Sequence, residues 1–229
     1  MNLIAFDTAW DTFSIGLAVK KQCYYLELNN GQKHSELIME GMELVLGMAG
    51  IEKTDLQRIA CMEGPGSFTG LRIGFATAKG LAFALDLPLI PVPTLDCMAY
   101  SYSFWPGIVI PVIDAKKNAY FCALYLQGKR ICDYLDSSIE ELISLIKDKN
   151  IRHPLLITGP AASLVFPALN GHFPGTVVTT DNKRGYAAEL LILSEKTCIL
   201  TAEENCGPMY LRKSDAELLN EHQLSGKQR

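Results

Sequence analysis

The stretch from Gly64 to Leu85, GPGSFTGLRIGFATAKGLAFAL, limits what this chain can fold into more than any other. It opens as a glycine-proline-glycine turn and continues in a helical pattern with almost no polar face. Arg72 and Lys79 are the only charged residues between Phe68 and Leu85, and a seven-residue separation puts them on one narrow stripe. Gly70, Gly74, Ala78 and Ala82 recur every four residues, a row of small side chains along which another backbone can come close. A helix that is apolar nearly all round must be buried on more than one side. The fold has to supply those surfaces.

Composition narrows the field. With 229 residues, 48% hydrophobic and 20% charged, the chain reads as a globular protein of one large or two small domains with a substantial core. A formal net charge of −4 argues against a protein that grips nucleic acid over its whole surface, so any basic patch would be local. Seven cysteines (Cys23, Cys61, Cys97, Cys122, Cys132, Cys198 and Cys206) include no CxxC pair and lie mostly in apolar runs. They read as reduced residues, mostly buried, rather than disulfide partners or zinc ligands. No basic leader precedes the first strand, and the apolar runs are broken well short of about 18 residues, so no signal peptide or membrane span is expected and the expected location is cytoplasmic.

Taken in order, the pattern predicts strands over Leu3–Phe6, Phe13–Val19 and Cys23–Leu28, closed by Asn29-Asn30-Gly31. A helix over His34–Met48 follows, with Glu36, Glu40 and Glu43 on one stripe. A strand over Arg58–Met62 leads into the focal turn and helix, then come a strand over Leu89–Val92 and a helix from Thr94 to about Tyr102. The order then repeats: strands over Ile108–Ile113, Tyr120–Leu126 and Lys129–Tyr134, a helix from Ser138 with a capping-box Glu141, a strand over Leu155–Thr158, Gly159-Pro160, and a helix from about Ala161. Val177-Val178, a helix from about Gly185 to Leu193 and a Pro208–Arg212 segment complete the second half. Two β-β-β-α-β-(Gly-Pro)-α units make an α/β fold of the duplicated, ribonuclease-H-like kind found in the actin, hexokinase (sugar-kinase) and Hsp70 superfamily. The expected boundaries are an N-terminal lobe over 1–103, a C-terminal lobe over 104–219 and a disordered tail over 220–229. In that architecture an acidic residue ending the first strand of each lobe faces a central cleft. Asp7 and Asp114 hold those places.

The chemistry motifs mostly fail. Gly64 and Gly70 are one residue too far apart for a phosphate loop, and Leu71-Arg72 follows where Lys-Ser/Thr is needed. Ser67 is flanked by Pro65 and Thr69, where a nucleophile elbow needs glycines. The plainer reading is a tight strand-to-helix turn capped by Ser67 or Thr69. His34, His153, His172 and His222 form no metal-binding spacing. Asp7 and Asp114 therefore remain the candidates for nucleotide or metal-phosphate work, against a structural role in tying strand ends to nearby N–H groups. A kinase would need a glycine-rich first hairpin, and Thr8-Ala9-Trp10-Asp11-Thr12 has no glycine.

These residues carry a resemblance. Asp7-Thr8, His34-Ser35, Gly64–Gly74, Ile113-Asp114-Ala115-Lys116-Lys117 and Pro208-Met209-Tyr210-Leu211-Arg212 together resemble the TsaB (YeaZ) family of bacterial tRNA threonylcarbamoyladenosine biosynthesis proteins, over nearly the whole chain. The family has serine where Ala9 stands, arginine where Lys116 stands, and commonly glutamate in place of Asn118. The resemblance implies a non-catalytic partner subunit of the catalytic paralogue TsaD, for threonylcarbamoylation of the adenosine next to the anticodon in ANN-decoding tRNAs. It also implies concert with the ATPase TsaE, tRNA contact through the complex, and homodimer formation through the same helices. ATP and a metal belong to the partner subunits; no cofactor is assigned to this chain. Where TsaD places two metal-binding histidines, this sequence has Thr94 and Met98. The first two helices are the family's pairing face, and Leu37, Met42, Gly70, Gly74 and Ala78 are the expected contacts. The alternative from another class is a small-molecule kinase or ATPase using Asp7 and Asp114.

Overall fold

A computed structural model describes residues 1–29, 34–180, 184–197 and 206–212. Cys198, His222, the Asn30-Gly31 break and the 220–229 tail lie outside the described residues, as do the side chains of His34 and Ser35.

The first sheet is built from β1 (Asn2–Asp7), β2 (Thr12–Val19), β3 (Gln22–Asn29), β4 (Arg58–Gly64) and β5 (Leu89–Pro93), in the order β3-β2-β1-β4-β5. β1 to β3 form an antiparallel meander, and β4 and β5 join in parallel. Period-two alternation sends Ile4 and Phe6 to one face, where they meet α1 (His34–Ala49) and α2 (Phe68–Leu85). It sends Leu3 and Ala5 to the other, against α3 (Thr94–Tyr100) and α6 (Ala187–Ser194).

The second sheet repeats this plan. It contains β6 (Ile108–Asp114), β7 (Tyr120–Cys122), β8 (Tyr125–Leu126), β9 (Lys129–Arg130), β10 (Leu135–Ser137), β11 (Leu155–Thr158) and β12 (Val177–Thr179). Its order β10-β7-β6-β11-β12 mirrors the first, so the duplication expected from element order is present. α4 (Ile139–Asp148) and α5 (Ala162–His172) cover its outer face through Ile110, Val112 and Ile157. Ser138 and Glu141 form the expected reciprocal cap on α4.

One expectation needs correction. The predicted strand Tyr120–Leu126 is split into β7 and β8, and of Lys129–Tyr134 only Lys129-Arg130 is strand, with β10 beginning one residue past its end. β7 and β8 keep one register against β6, but the ladder lapses opposite Pro111, which has no N–H to donate. The Leu124 carbonyl accepts from the Ile131 N–H at 2.8 Å instead. The two sheets divide near residue 103, while α6 and much of the 206–212 segment pack against the first. α6 packs on β1, β2, β4 and β5, and a single buried cluster runs from Leu3 and Ile90 through Leu95, Tyr186 and Leu190 to Val109 and Leu156. The lobes share one core.

Candidate functional site

The turn before α2 is shaped by what crosses it. Gly64 has φ +120, and a Cβ there would lie 2.5 Å from the Met209 carbonyl oxygen, so only glycine fits. Of the two cap candidates, Ser67 rather than Thr69 caps α2, accepting from the Gly70 N–H. Gly70, Leu71, Gly74, Phe75, Ala78 and Ala82 form the buried face of the helix. The small-residue row therefore lies against the chain's own first sheet. A Cβ on Gly70 would sit 2.0 Å from the Thr8 carbonyl oxygen, and one on Gly74 would sit 2.1 Å from Thr8 Oγ1. The Thr8 hydroxyl donates to the Gly70 carbonyl at 2.8 Å.

A second arc of α2 carries the polar stripe, and it is occupied. The Arg72 Nε–H donates to the Tyr210 hydroxyl at 3.0 Å, and Tyr210 stacks on Phe68 with centroids 4.5 Å apart. Two turns on, Lys79 Nζ donates to the Cys206 carbonyl at 3.3 Å. Residues 206–212 thus run along the helix as a strap. The Met209 N–H donates to the Glu63 carbonyl at 2.6 Å, and Arg212 ends the strap on the other lobe with a bidentate pair to Asp136 at 2.7 and 2.6 Å. Arg212 also donates to the Ala115 carbonyl at 3.1 Å.

The third arc faces outward. Thr69, Ala76, Gly80, Phe83 and Ala84 are exposed, Phe83 by 73%. On the adjoining α1, Met39, Leu44 and Met48 are exposed by 44%, 57% and 60%. Cβ atoms on Gly47 or Gly80 would meet nothing within 4 Å. Of the expected contact residues, Leu37 is half-buried, while Met42, Gly70, Gly74 and Ala78 are enclosed by the chain's own core. The exposed row is the next one round on the same helices.

The expected acidic pair is not brought together. Asp7 is fully buried. It accepts from the Tyr186 N–H at 2.9 Å, the Ala9 N–H at 3.2 Å and the Ser14 hydroxyl at 3.3 Å. With Glu27 accepting from the Gly185 N–H and Ser14 Oγ from the Ala187 N–H, three successive amides at the start of α6 are tied to the first sheet. Burial pushes the Asp7 carboxyl up to about 6 against the pull of those donors. Asp114 does border the cleft between the lobes, a space of about 440 Å³ also lined by Trp10, Ser67, Phe68, Lys116 and Arg212. Its carboxylate is engaged by the Lys116 backbone N–H and Nζ, both at 2.7 Å, which hold it below the usual carboxylate range although partial burial opposes them. Thr94 and Met98, both fully buried, offer no imidazole to a metal, and no group of three or more His, Cys, Asp or Glu among the described residues is placed to hold one.

The sequence reading missed the strap's seat on α2, the return of α6 and the Arg184–Glu189–Ser101 cluster that fixes it, in which Arg184 pairs with Glu189 and donates to the Ser101 hydroxyl at 2.8 Å. The paired Arg72 and Lys79 were the available signal for the strap.

Two sheets of identical strand order flanking a shared core, with strand-end acids and a cleft between lobes, define a protein of the duplicated ribonuclease-H-like class. Solved structures agree on the fold. YeaZ from Pseudomonas aeruginosa superposes with a TM-score of 0.71 at 24% identity, over 92% of this chain and 99% of that one. The activator of 2-hydroxyisocaproyl-CoA dehydratase from Clostridium difficile with bound ADPNP does so at 0.51 and 10% identity, over 86% and 95%. A family model described as TsaD, tRNA N6-adenosine threonylcarbamoyltransferase, matches residues 29–163. The chain is 28% identical over 173 residues to the tRNA threonylcarbamoyladenosine biosynthesis protein TsaB of Bacillus subtilis, 72% of this chain and 73% of that one. It is 35% identical over 128 residues to Escherichia coli TsaB, about half of each chain at 55%. The chain belongs to the threonylcarbamoyltransferase family and, within it, to the TsaB (YeaZ) branch.

Proposed function

We propose that this chain takes part in making threonylcarbamoyladenosine in tRNA as a partner subunit without chemistry of its own. It pairs through the outward face of α1 and α2 with the catalytic paralogue TsaD, and TsaE joins the same assembly. The membership in a family whose relatives carry that biosynthetic name supports the pathway. The observation that carries the pairing is local. Met39, Leu44, Met48 and Phe83 expose apolar side chains on two contacting helices, with Gly47 and Gly80 leaving room for another backbone. Methionines suit a surface that repacks against more than one partner, which supports a homodimer through the same face when TsaD is absent.

The kinase alternative draws on the fold alone. It needs Asp7 in the cleft, and Asp7 is instead buried against α6 with both oxygens engaged.

The test is pairing of purified chains by calorimetry and size-exclusion chromatography. Phe83→Glu and Gly80→Glu put charge on the exposed arc without meeting the core. Both are expected to abolish binding to TsaD without lowering the urea midpoint, which Gly80→Glu should raise slightly by removing a mid-helix glycine. Pairing at wild-type affinity by both variants overturns the assignment of this face.

A further inference from the structure

The end of the C-terminal lobe remote from the cleft has a different chemistry. β6, β11 and β12 run parallel and begin at one edge, and the β8–β9 hairpin turns at the same edge. Four loops therefore lie side by side there: residues 127–130, 101–107, 151–154 and 171–176. Four adjacent strands set a front of about 15 Å. None of these loops contains an aspartate or glutamate, although the chain has 25 acidic residues against 21 lysines and arginines. They expose Lys129, Arg130, Arg152, His153 and His172. The nearest acids by sequence, Asp133 and Asp148, are exposed too, and Asp148 stands between Lys147 and Lys149.

Aromatic rings are interleaved with this charge. Phe104 is 79% exposed in a turn where it buries little of its own surface, with Tyr102 at 6.3 Å. The neighbouring Trp105 donates its indole N–H to the Pro154 carbonyl at 3.4 Å, which holds the 101–107 loop against the Arg152-His153 loop. Beside it, a pocket of about 240 Å³ is floored by Leu155 and Phe173 and rimmed by Arg152 and His153.

We propose that this edge is an RNA contact that takes an unpaired loop of tRNA, with the basic side chains on phosphates and Phe104 stacking on a splayed base. Cations beside exposed ring faces are the pairing that single-stranded RNA selects, because phosphates demand positive charge and every base has a ring face. A protein partner would favour a core depleted of lysine, and here Lys129, Arg130 and Arg152 stand on two of the four loops with no acid on any of them. The choice of tRNA rests on the proposed function; the choice of RNA rests on the edge itself. The edge and the α1–α2 face lie on different lobes, so one chain can meet TsaD and tRNA at once.

The experiment measures binding of an unmodified ANN-anticodon tRNA transcript to the full chain, alone and with TsaD, by fluorescence anisotropy across a salt series. The variant is Phe104→Ala with Lys129→Glu and Arg152→Glu, all exposed positions, with its folding checked by thermal midpoint. The expected result is at least a tenfold loss of affinity, a shallower salt slope by about 2, and a raised KM for tRNA in reconstituted modification with kcat little changed. Affinity within twofold of wild type, or no tRNA binding by the wild-type chain in either state, overturns the proposal. Modification that proceeds without the chain would remove the proposed function instead, and the binding arm would still decide whether the edge holds RNA.

Discussion

At the scale of single residues, Asp7 shows a strand-end acid put to structural use. Its carboxyl sits at the start of α6 and receives the Tyr186 N–H, yet desolvation outweighs those donors and raises its affinity for a proton to about 6. An unfolded aspartate titrates near 3.8, so between about pH 4 and pH 6 the folded chain binds more protons than the unfolded one. Stability then falls as pH rises through that window and levels off above it, by on the order of 3 kcal/mol from this group. Urea midpoints from pH 4 to pH 7.5 should show the decline, and Asp7→Asn should flatten it; an unchanged slope in the variant would assign the effect elsewhere. Gly74 makes a sharper case. Gly74→Ala drives a methyl to 2.1 Å from Thr8 Oγ1, so the sheet and helix must separate. A loss of about 1–3 kcal/mol is expected by denaturant titration. A charge at Gly74 would therefore unfold the chain before it could report on pairing.

The helix α2 and the strap organise the next scale. The extent of α2 was readable to within about two residues at its start, because an apolar run after a Ser67 or Thr69 cap and without proline reads on to Leu85. Which row faces the sheet was not readable. Gly70-Gly74-Ala78 and Ala76-Gly80-Ala84 are both small, and periodicity cannot orient a helix that is apolar on almost every side. Two long-range contacts decide it, Thr8 on the inner row and residues 206–210 on the polar stripe; Arg72 and Lys79 mark that stripe but not what covers it. The strap itself should depend on Arg212, whose bidentate pair with Asp136 is half-buried on both sides. Arg212→Ala should speed hydrogen exchange across residues 206–212 and cost about 1–3 kcal/mol, and Arg212→Lys should recover less than half, since lysine cannot make the forked pair. Equal exchange rates in all three forms would contradict the strap's anchoring.

Over the whole molecule, five layers stack as α1–α2, first sheet, α3–α6, second sheet and α4–α5. The duplication was legible because each lobe carries its own turns, caps and alternation, all local signals. The sharing of α6 was not, since Tyr186 and Leu190 look like any core residues until the chain returns to β1. Among the described residues, that sharing leaves Met39, Leu44, Met48 and Phe83 exposed on α1–α2, and it makes the middle of the molecule a common core. Such a body is suited to presenting surfaces, one on α1–α2 and one at the far edge of the second sheet, more than to closing on a small substrate. The proposed role is that of a subunit needed by a catalytic paralogue. Reconstituted threonylcarbamoyladenosine formation, with TsaD, TsaE, the threonylcarbamoyl donor and tRNA, is measured with and without this chain. Turnover is expected with the wild-type chain, and near-background turnover without it or with Phe83→Glu. Equal turnover in its absence would rule the role out.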